Sequence, residues 1–267
     1  MRDGEGKKRK RILTYGKITT GKFSIVINML DKTELKKILV LDIETVPQHA
    51  SYDELPEEWK ELWQKKMQRE LKEGLTADGL YQRAGIYAEF GRIICICAGF
   101  FYDNGSGLSF KVKAFYGDVE KTVLEDFSEL LNNNFSAPDN VLCGHNSREF
   151  DFPYIARRCL VNGLPIPAVL DNSGKKPWEV QHLDTMDLWK FGDYKSFSSL
   201  NLLAAVFGLD SPKDDMDGSI VWSVYWRDKD LERIKTYCQK DVVTVAQLLL
   251  KFKGMNLLKE KNISFIN

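Results

Sequence analysis

The chain has 267 residues, 43% of them hydrophobic and 12% aromatic, enough to bury one large core. Its 38 basic and 38 acidic residues cancel, which excludes a global electrostatic grip on nucleic acid and leaves only local contacts. Five cysteines, odd in number and without zinc-type spacing, argue against a disulfide framework and for reduced thiols in a cytoplasmic protein.

Lys7 to Arg11 are consecutive cations, but the best apolar run after them, Phe23 to Leu30, is interrupted by Ser24 and Asn28, so a secretory signal is not expected. The cluster reads as a solvated tail or a basic nucleic-acid-binding arm. Met29 is an alternative native start, since every motif lies after it. No segment reaches the roughly 20 apolar residues that span a bilayer, so no membrane partner is expected.

Ile38-Leu39-Val40-Leu41 reads as a short strand buried on both faces and ended near Thr45 and Pro47. Strand side chains alternate, so Asp42 and Glu44 share one face while Ile43 points to the other. Two adjacent anions on a core strand ask for a divalent cation with oxygen ligands; otherwise they are an acidic pair at a frayed strand end in solvent.

Residues 56–73 carry Trp59, Leu62, Trp63, Met67 and Leu71 at helical spacing behind Pro56 and before Gly74. The two tryptophans are expected to pack rather than stack on bases. Arg92 to Tyr102 and Leu108 to Tyr116 form a hairpin across the turn Asp103-Asn104-Gly105-Ser106-Gly107, with Cys95 and Cys97 on one face of the core. Residues 119–132 are a helix.

A further strand, Val141-Leu142-Cys143, runs into Gly144-His145-Asn146, and a helix is expected from about Pro153 to Val161, for which an N-cap is the plainer of two readings of Asp151. Asn162 to Pro177 is a loop, Glu179 to Leu183 a strand, and Ser198 to Phe207 a helix closed by Gly208. Lys213 to Gly218 fails the spacing of a calcium loop and reads as a capped turn shaping a groove. The last helix, Lys229 to Phe252, puts Tyr237 and Asp241 one turn apart on one face.

In their order, these pieces resemble the DEDD superfamily of 3′-5′ exonucleases, in its tyrosine-bearing branch (DEDDy). The first motif is Asp42-Ile43-Glu44-Thr45, the second runs from Asn146 to Phe150-Asp151, and the third is Tyr237-Cys238-Gln239-Lys240-Asp241. The chain is similar to the proofreading domain of family B DNA polymerases and to stand-alone predicted relatives of it. That likeness covers about residues 36–252 and includes Lys213 to Gly218.

The resemblance implies an α/β fold, a ribonuclease H-like mixed β-sheet flanked by helices, with residues 1–35 as an N-terminal extension and 36–267 as the exonuclease domain. It implies that Asp42, Glu44, Asp151 and Asp241 hold two Mg²⁺ or Mn²⁺ ions about 4 Å apart. Tyr237 then positions the attacking water by a hydrogen bond, its ordinary pKa of about 10 being too high for a base. Thr45, Asn146, Arg148, Phe150 and Lys213 are candidate nucleic-acid contacts, with Lys195 a further phosphate candidate; Phe150 equally suits packing under the metal site. Asp184 and Asp187 read as caps or groove formers. The expected reaction is stepwise removal of nucleotides from single-stranded or frayed DNA 3′ ends, with any polymerase or repair partner on a separate chain. The alternatives are an exoribonuclease and a non-catalytic nucleic-acid-binding module of the same fold.

Overall fold

The computed structural model describes residues 30, 32–209 and 216–266. The expectations for the basic cluster, for Met29 and for Lys213 lie outside the described residues.

The central strand β1, Ile38–Pro47, is buried almost throughout. Three short helices follow: α1 (Glu57–Lys66), α2 (Gln68–Lys72) and α3 (Ala77–Tyr81). They enclose a small separate core of Trp63, Met67, Leu80, Tyr81 and Phe90. The chain then forms the hairpin β2 (Gly91–Asp103) and β3 (Leu108–Tyr116), and helix α4 (Glu120–Asn134). Strand β4 (Val141–Gly144) leads to helix α5 (Asp151–Val161), and strand β5 (Leu183–Asp184) to helix α6 (Thr185–Lys190). Helices α7 (Leu200–Val206), α8 (Val221–Trp226) and α9 (Leu231–Phe252) precede an edge strand, β6 (Ile263–Ile266).

These strands form a mixed sheet in the order β5-β4-β1-β2-β3-β6. On one side of β1 lies the antiparallel meander β2–β3; on the other, β4 and β5 run parallel. Helices cover both faces, which is the ribonuclease H-like α/β arrangement the resemblance implies.

Alternation along β1 divides the core in two. Ile38 and Val40 join Cys95, Cys97, Phe110 and Val112 beneath Val242, Val245, Ala246 and Leu249 of α9. Leu39, Leu41 and Ile43 join Ile96 and Ala98 beneath Val123, Leu124 and Phe127 of α4 and Ile155 and Cys159 of α5. Two faces of apolar contact explain why the first four residues of β1 show no polar alternation. A buried Arg158–Glu120 pair at 2.6 Å locks α5 to α4, and Glu120 Oε1 also accepts the Ile93 N–H at 2.7 Å.

Three expectations need correction, and one strand is new. The helix over 56–73 breaks at Met67, where the backbone turns (φ −91°, ψ 14°) and the side chain drops into the small core. The strand over 179–183 shrinks to Leu183–Asp184: β4 is only four residues long, and the Leu142 N–H donates to His182 Nδ1 (3.2 Å) instead of a strand carbonyl. Helix α5 begins two residues early, with Phe150 at the N-cap and Asp151 inside the first turn. Strand β6 was not anticipated.

Candidate active site

Asp42 and Glu44 project toward α9, on the face that Ile38 and Val40 define. The β1–β2 register sets Asp42 opposite Cys97 and Glu44 opposite Cys95. The register shifts between Glu44 and Thr45, an irregularity of the kind that re-aims side chains at sheet ends. Strand β4 pairs with β1 only over Ile38–Val40, so the main chain of β1 is open on that side beyond Val40. Asp151 fills the opening: its Oδ1 accepts the Ile43 N–H at 3.1 Å, between the two acids.

From the opposite direction, α9 brings Tyr237 and Asp241 over the same spot, with the Tyr237 hydroxyl donating to the Asp241 carboxylate one turn on. Asp241 is close enough to disfavour charge on both Asp42 and Glu44. The four acids thus gather beyond the β4 pairing on β1, in the crevice where parallel α/β sheets place their ligands.

The electrostatics follow from that crowding. Burial first, then the neighbouring Cys238 and acidic groups, hold Asp42 and Glu44 well above the usual carboxylate range. Burial pushes Asp151 up to about 7, with the Ser147 hydroxyl and main-chain amides, Ile43 among them, working the other way. Tyr237 is raised by burial and then by Asp241 and Glu44. Such a cluster of hard oxygen donors fits a small divalent cation.

The turn after β4 flanks the cluster. Asn146 adopts a left-handed backbone (φ 63°), which asparagine tolerates, and its Oδ1 is buried without a hydrogen-bond partner among the described residues. Asp184 holds the turn: Oδ1 accepts the Asn146 N–H (2.9 Å) and Oδ2 the Arg148 N–H (3.0 Å), while Oδ1 also caps α6 through the Met186 and Asp187 N–H groups. Asp184 is therefore a cap, as its position in the sequence suggests, and Asp187 pairs with Lys190 at 3.0 Å. Arg148 is held by Asp187 at 3.5 Å and by the Pro177 carbonyl.

Phe150 packs on Tyr154, ring centroids 5.3 Å apart, and on the core under α5. Thr45 is half-buried beside the Tyr154 phenol. Lys195 is exposed. Of the two tryptophans, Trp63 is fully buried with its Nε1 donating to the Ala77 carbonyl at 2.8 Å, and Trp59 meets Phe90 edge-on, so both pack.

Two features escaped the sequence. Cys238 joins Cys95 and Cys97 directly behind Asp42, because the β1–β2 register and the rotation of α9 bring together residues that no linear spacing relates. His145 spans the turn, Nδ1 with the Thr185 hydroxyl (2.9 Å) and Nε2 with the Ser198 carbonyl (2.8 Å), which only the fold reveals.

The molecule is thus a ribonuclease H-like α/β protein with an acidic cluster at the end of its first strand. Residues 86–262, more than half of the chain, match the family described as "Predicted 3'-5' exonuclease related to the exonuclease domain of PolB", and the chain belongs to that family. Asp151, Tyr237 and Asp241 lie inside the matched stretch; Asp42 and Glu44 precede it. A search of curated proteins found no significant match. Among solved structures, a family B DNA polymerase from the hyperthermophilic archaeon Pyrobaculum calidifontis aligns over 80% of this chain at 16% identity with a TM-score of 0.48. This chain spans 24% of that polymerase chain. No helix among the described residues is long and apolar enough to cross a membrane.

Proposed function

We propose that residues 36–267 form a metal-dependent 3′-5′ exonuclease domain of the tyrosine-bearing DEDD branch, acting on DNA 3′ ends that are single-stranded or frayed. The observation that carries this reading is the bond from Asp151 to the main chain of Ile43, which ties the second acidic motif between the two acids of the first.

Asp42, Glu44, Asp151 and Asp241 would hold Mg²⁺ or Mn²⁺. When bound, two such ions supply the Lewis acidity that activates water and stabilises the leaving 3′ oxygen. The chain's own residues do the rest. Tyr237 stays protonated at neutral pH and offers its hydroxyl as a hydrogen-bonding positioner for water, so it is not the base. The orphan Asn146 Oδ1 is an acceptor for a terminal nucleotide. Arg148 beside it, already held in place, offers charge to a phosphate. Phe150 supports the site by packing, and Thr45 lines the end of β1 where a terminal sugar would lie. Lys213 is a further phosphate candidate on sequence grounds.

The test is digestion of 5′-labelled single-stranded DNA and a matched RNA with Mg²⁺, Mn²⁺ or EDTA, comparing wild type with Asp42→Ala. Products shortened stepwise from the 3′ end, dependent on both metal and Asp42, are expected, with DNA preferred. A preference for RNA would make the protein an exoribonuclease, distinguished by 2′-hydroxyl contacts. No cleavage by folded protein would favour a binding module.

A further inference from the structure

Most of the exposed large aromatic side chains among the described residues lie in two loops: Trp178 (77% exposed) precedes β5, and Phe191, Tyr194 and Phe197 (68%) follow α6. Single exposed rings are ordinary on a protein surface, but a group of them rimmed by polar residues marks an interaction site. Two of these rings are anchored to the turn between β4 and α5. Arg148 Nη2 donates to the carbonyl of Pro177, one residue before Trp178. His145 Nε2 meets the carbonyl of Ser198, one residue after Phe197, at 2.8 Å. His145 and Arg148 bracket Asn146, with its orphan buried Oδ1, and Asp151 follows three residues beyond Arg148. Each ring also carries a cation: Lys176 Nζ lies 5.3 Å from the Trp178 centroid, and Nζ of the buried Lys190 lies 4.8 Å from that of Phe197. The acids nearby are engaged. Asp187 is shared between Lys190 (3.0 Å) and Arg148 (3.5 Å), while Glu179 and Asp193 accept the main-chain N–H groups of Lys176 and Lys195.

We propose that Trp178 and Phe197 are stacking platforms for unpaired bases of a nucleic-acid strand whose 3′ end reaches the acidic cluster. The direction of that strand rests on the exonuclease reading; the stacking rests on the rings. Every base presents a π-face, so an exposed ring held at a fixed position binds single strands without reading their sequence. A base inside a duplex already has both faces covered by its neighbours and gains nothing from the ring. The platforms therefore select single-stranded or frayed ends. The cations on the rings supply local positive charge in a chain whose net charge is zero, so stacking rather than bulk electrostatics carries the affinity. A protein partner would also cover exposed rings. Continuity with the open Asn146 acceptor and the acids beyond it favours a strand that enters the crevice.

The probe is a fluorescein-labelled single-stranded oligothymidylate of about 12 nucleotides, its binding followed by anisotropy with Mg²⁺. The full chain carries Asp42→Ala throughout, which keeps the strand intact. Adding Trp178→Ala or Phe197→Ala is expected to weaken binding about fivefold to a hundredfold. Trp178→Phe keeps a ring and should retain most of the affinity; Trp178→Leu keeps apolar bulk without a π-face and should behave as the alanine variant. Phe265→Ala, on β6 at the opposite edge of the sheet, should bind as the parent does. Affinity for a blunt duplex of the same length should not change in any variant. The proposal is overturned if the parent binds no single strand, if both alanine variants bind as the parent does, or if Trp178→Leu matches Trp178→Phe. Digestion by chains with Asp42 intact separates the two readings. Ring-dependent binding without cleavage keeps the platforms and removes the exonuclease; stepwise cleavage with ring-independent binding does the reverse.

Discussion

Asp151 Oδ1 accepts the Ile43 main-chain N–H at 3.1 Å, joining residues 108 apart in sequence at the edge of the central strand. The bond gives Asp151 two separable jobs: closing an open strand edge and contributing charge to the acidic cluster. Asn retains the acceptor and loses the charge; Ala loses both. Asp151→Asn is expected to be at least as stable as wild type in metal-free buffer at neutral pH, and inactive. Asp151→Ala leaves the Ile43 N–H unsatisfied and is expected to lose about 1–3 kcal/mol as well. Denaturant unfolding and the nuclease assay, run on both variants, separate the two jobs. Equal stability of the Asn and Ala variants would show that the bond to Ile43 contributes nothing.

The metal-free protein should be unusually sensitive to alkali. Asp151 is raised from the ordinary carboxylate range to about 7, and Asp42 and Glu44 are raised as well. Between about pH 4 and 7 the folded state therefore binds more protons than the unfolded state, so stability is present below the unfolded pKa and is lost as pH rises through the folded one. The loss is on the order of a few kcal/mol. Thermal unfolding in EDTA should show Tm falling from pH 5 to pH 8, with Mn²⁺ restoring it most at the alkaline end. A Tm in EDTA that rises over this range would contradict the buried, uncompensated state of the acids.

Tyr237 offers a test of role. Burial and the neighbouring Asp241 hold its phenol above its ordinary value, so it remains protonated at working pH. Tyr237→Phe should lower kcat by about tenfold to a hundredfold while leaving KM and the shape of the pH–rate profile unchanged. A rate that climbs with pH as the phenol deprotonates in wild type, and no longer does so in the variant, would instead identify the tyrosine as the base.

How much of this was legible in the sequence depends on the range of each interaction. The alternation that pairs Asp42 with Glu44, the hairpin and the single turn separating Tyr237 from Asp241 are local periodicities, and they stand in the structure as the sequence implies. Register is not local. Nothing in the spacing of Cys95, Cys97 and Cys238 says that they meet, because that depends on Asp42 facing Cys97 across a ladder and on how α9 is turned. The plainer reading of Asp151, an N-cap, gives way for a related reason: Phe150 holds that position, and a distant open strand edge takes the carboxylate. The overlong strand before Asp184 failed because its partner β4 ends after four residues, a fact about the neighbour and not about the segment.

Gly144 makes the turn beside the acids intolerant of any side chain. A Cβ there would fall 1.8 Å from Ser147 Oγ and 2.5 Å from Ser147 Cβ, with the Leu41 carbonyl at 3.1 Å. Ser147 is buried and lies between Asn146 and Arg148, whose N–H groups Asp184 grips, so the turn cannot yield without disturbing that clamp. Gly144→Ala is expected to cost about 1–3 kcal/mol by overpacking, and to raise KM for a 3′ end through displaced Asn146 and Arg148. Removing the obstructing side chain should help, so Gly144→Ala combined with Ser147→Gly should recover part of the stability lost by Gly144→Ala alone. Recovery measured by denaturant unfolding, with KM followed in parallel, distinguishes a steric contact from a general weakness of the loop. A double variant no more stable than Gly144→Ala would mean that the Leu41 main chain is the true obstacle. The crevice floor would then be set by β1 itself.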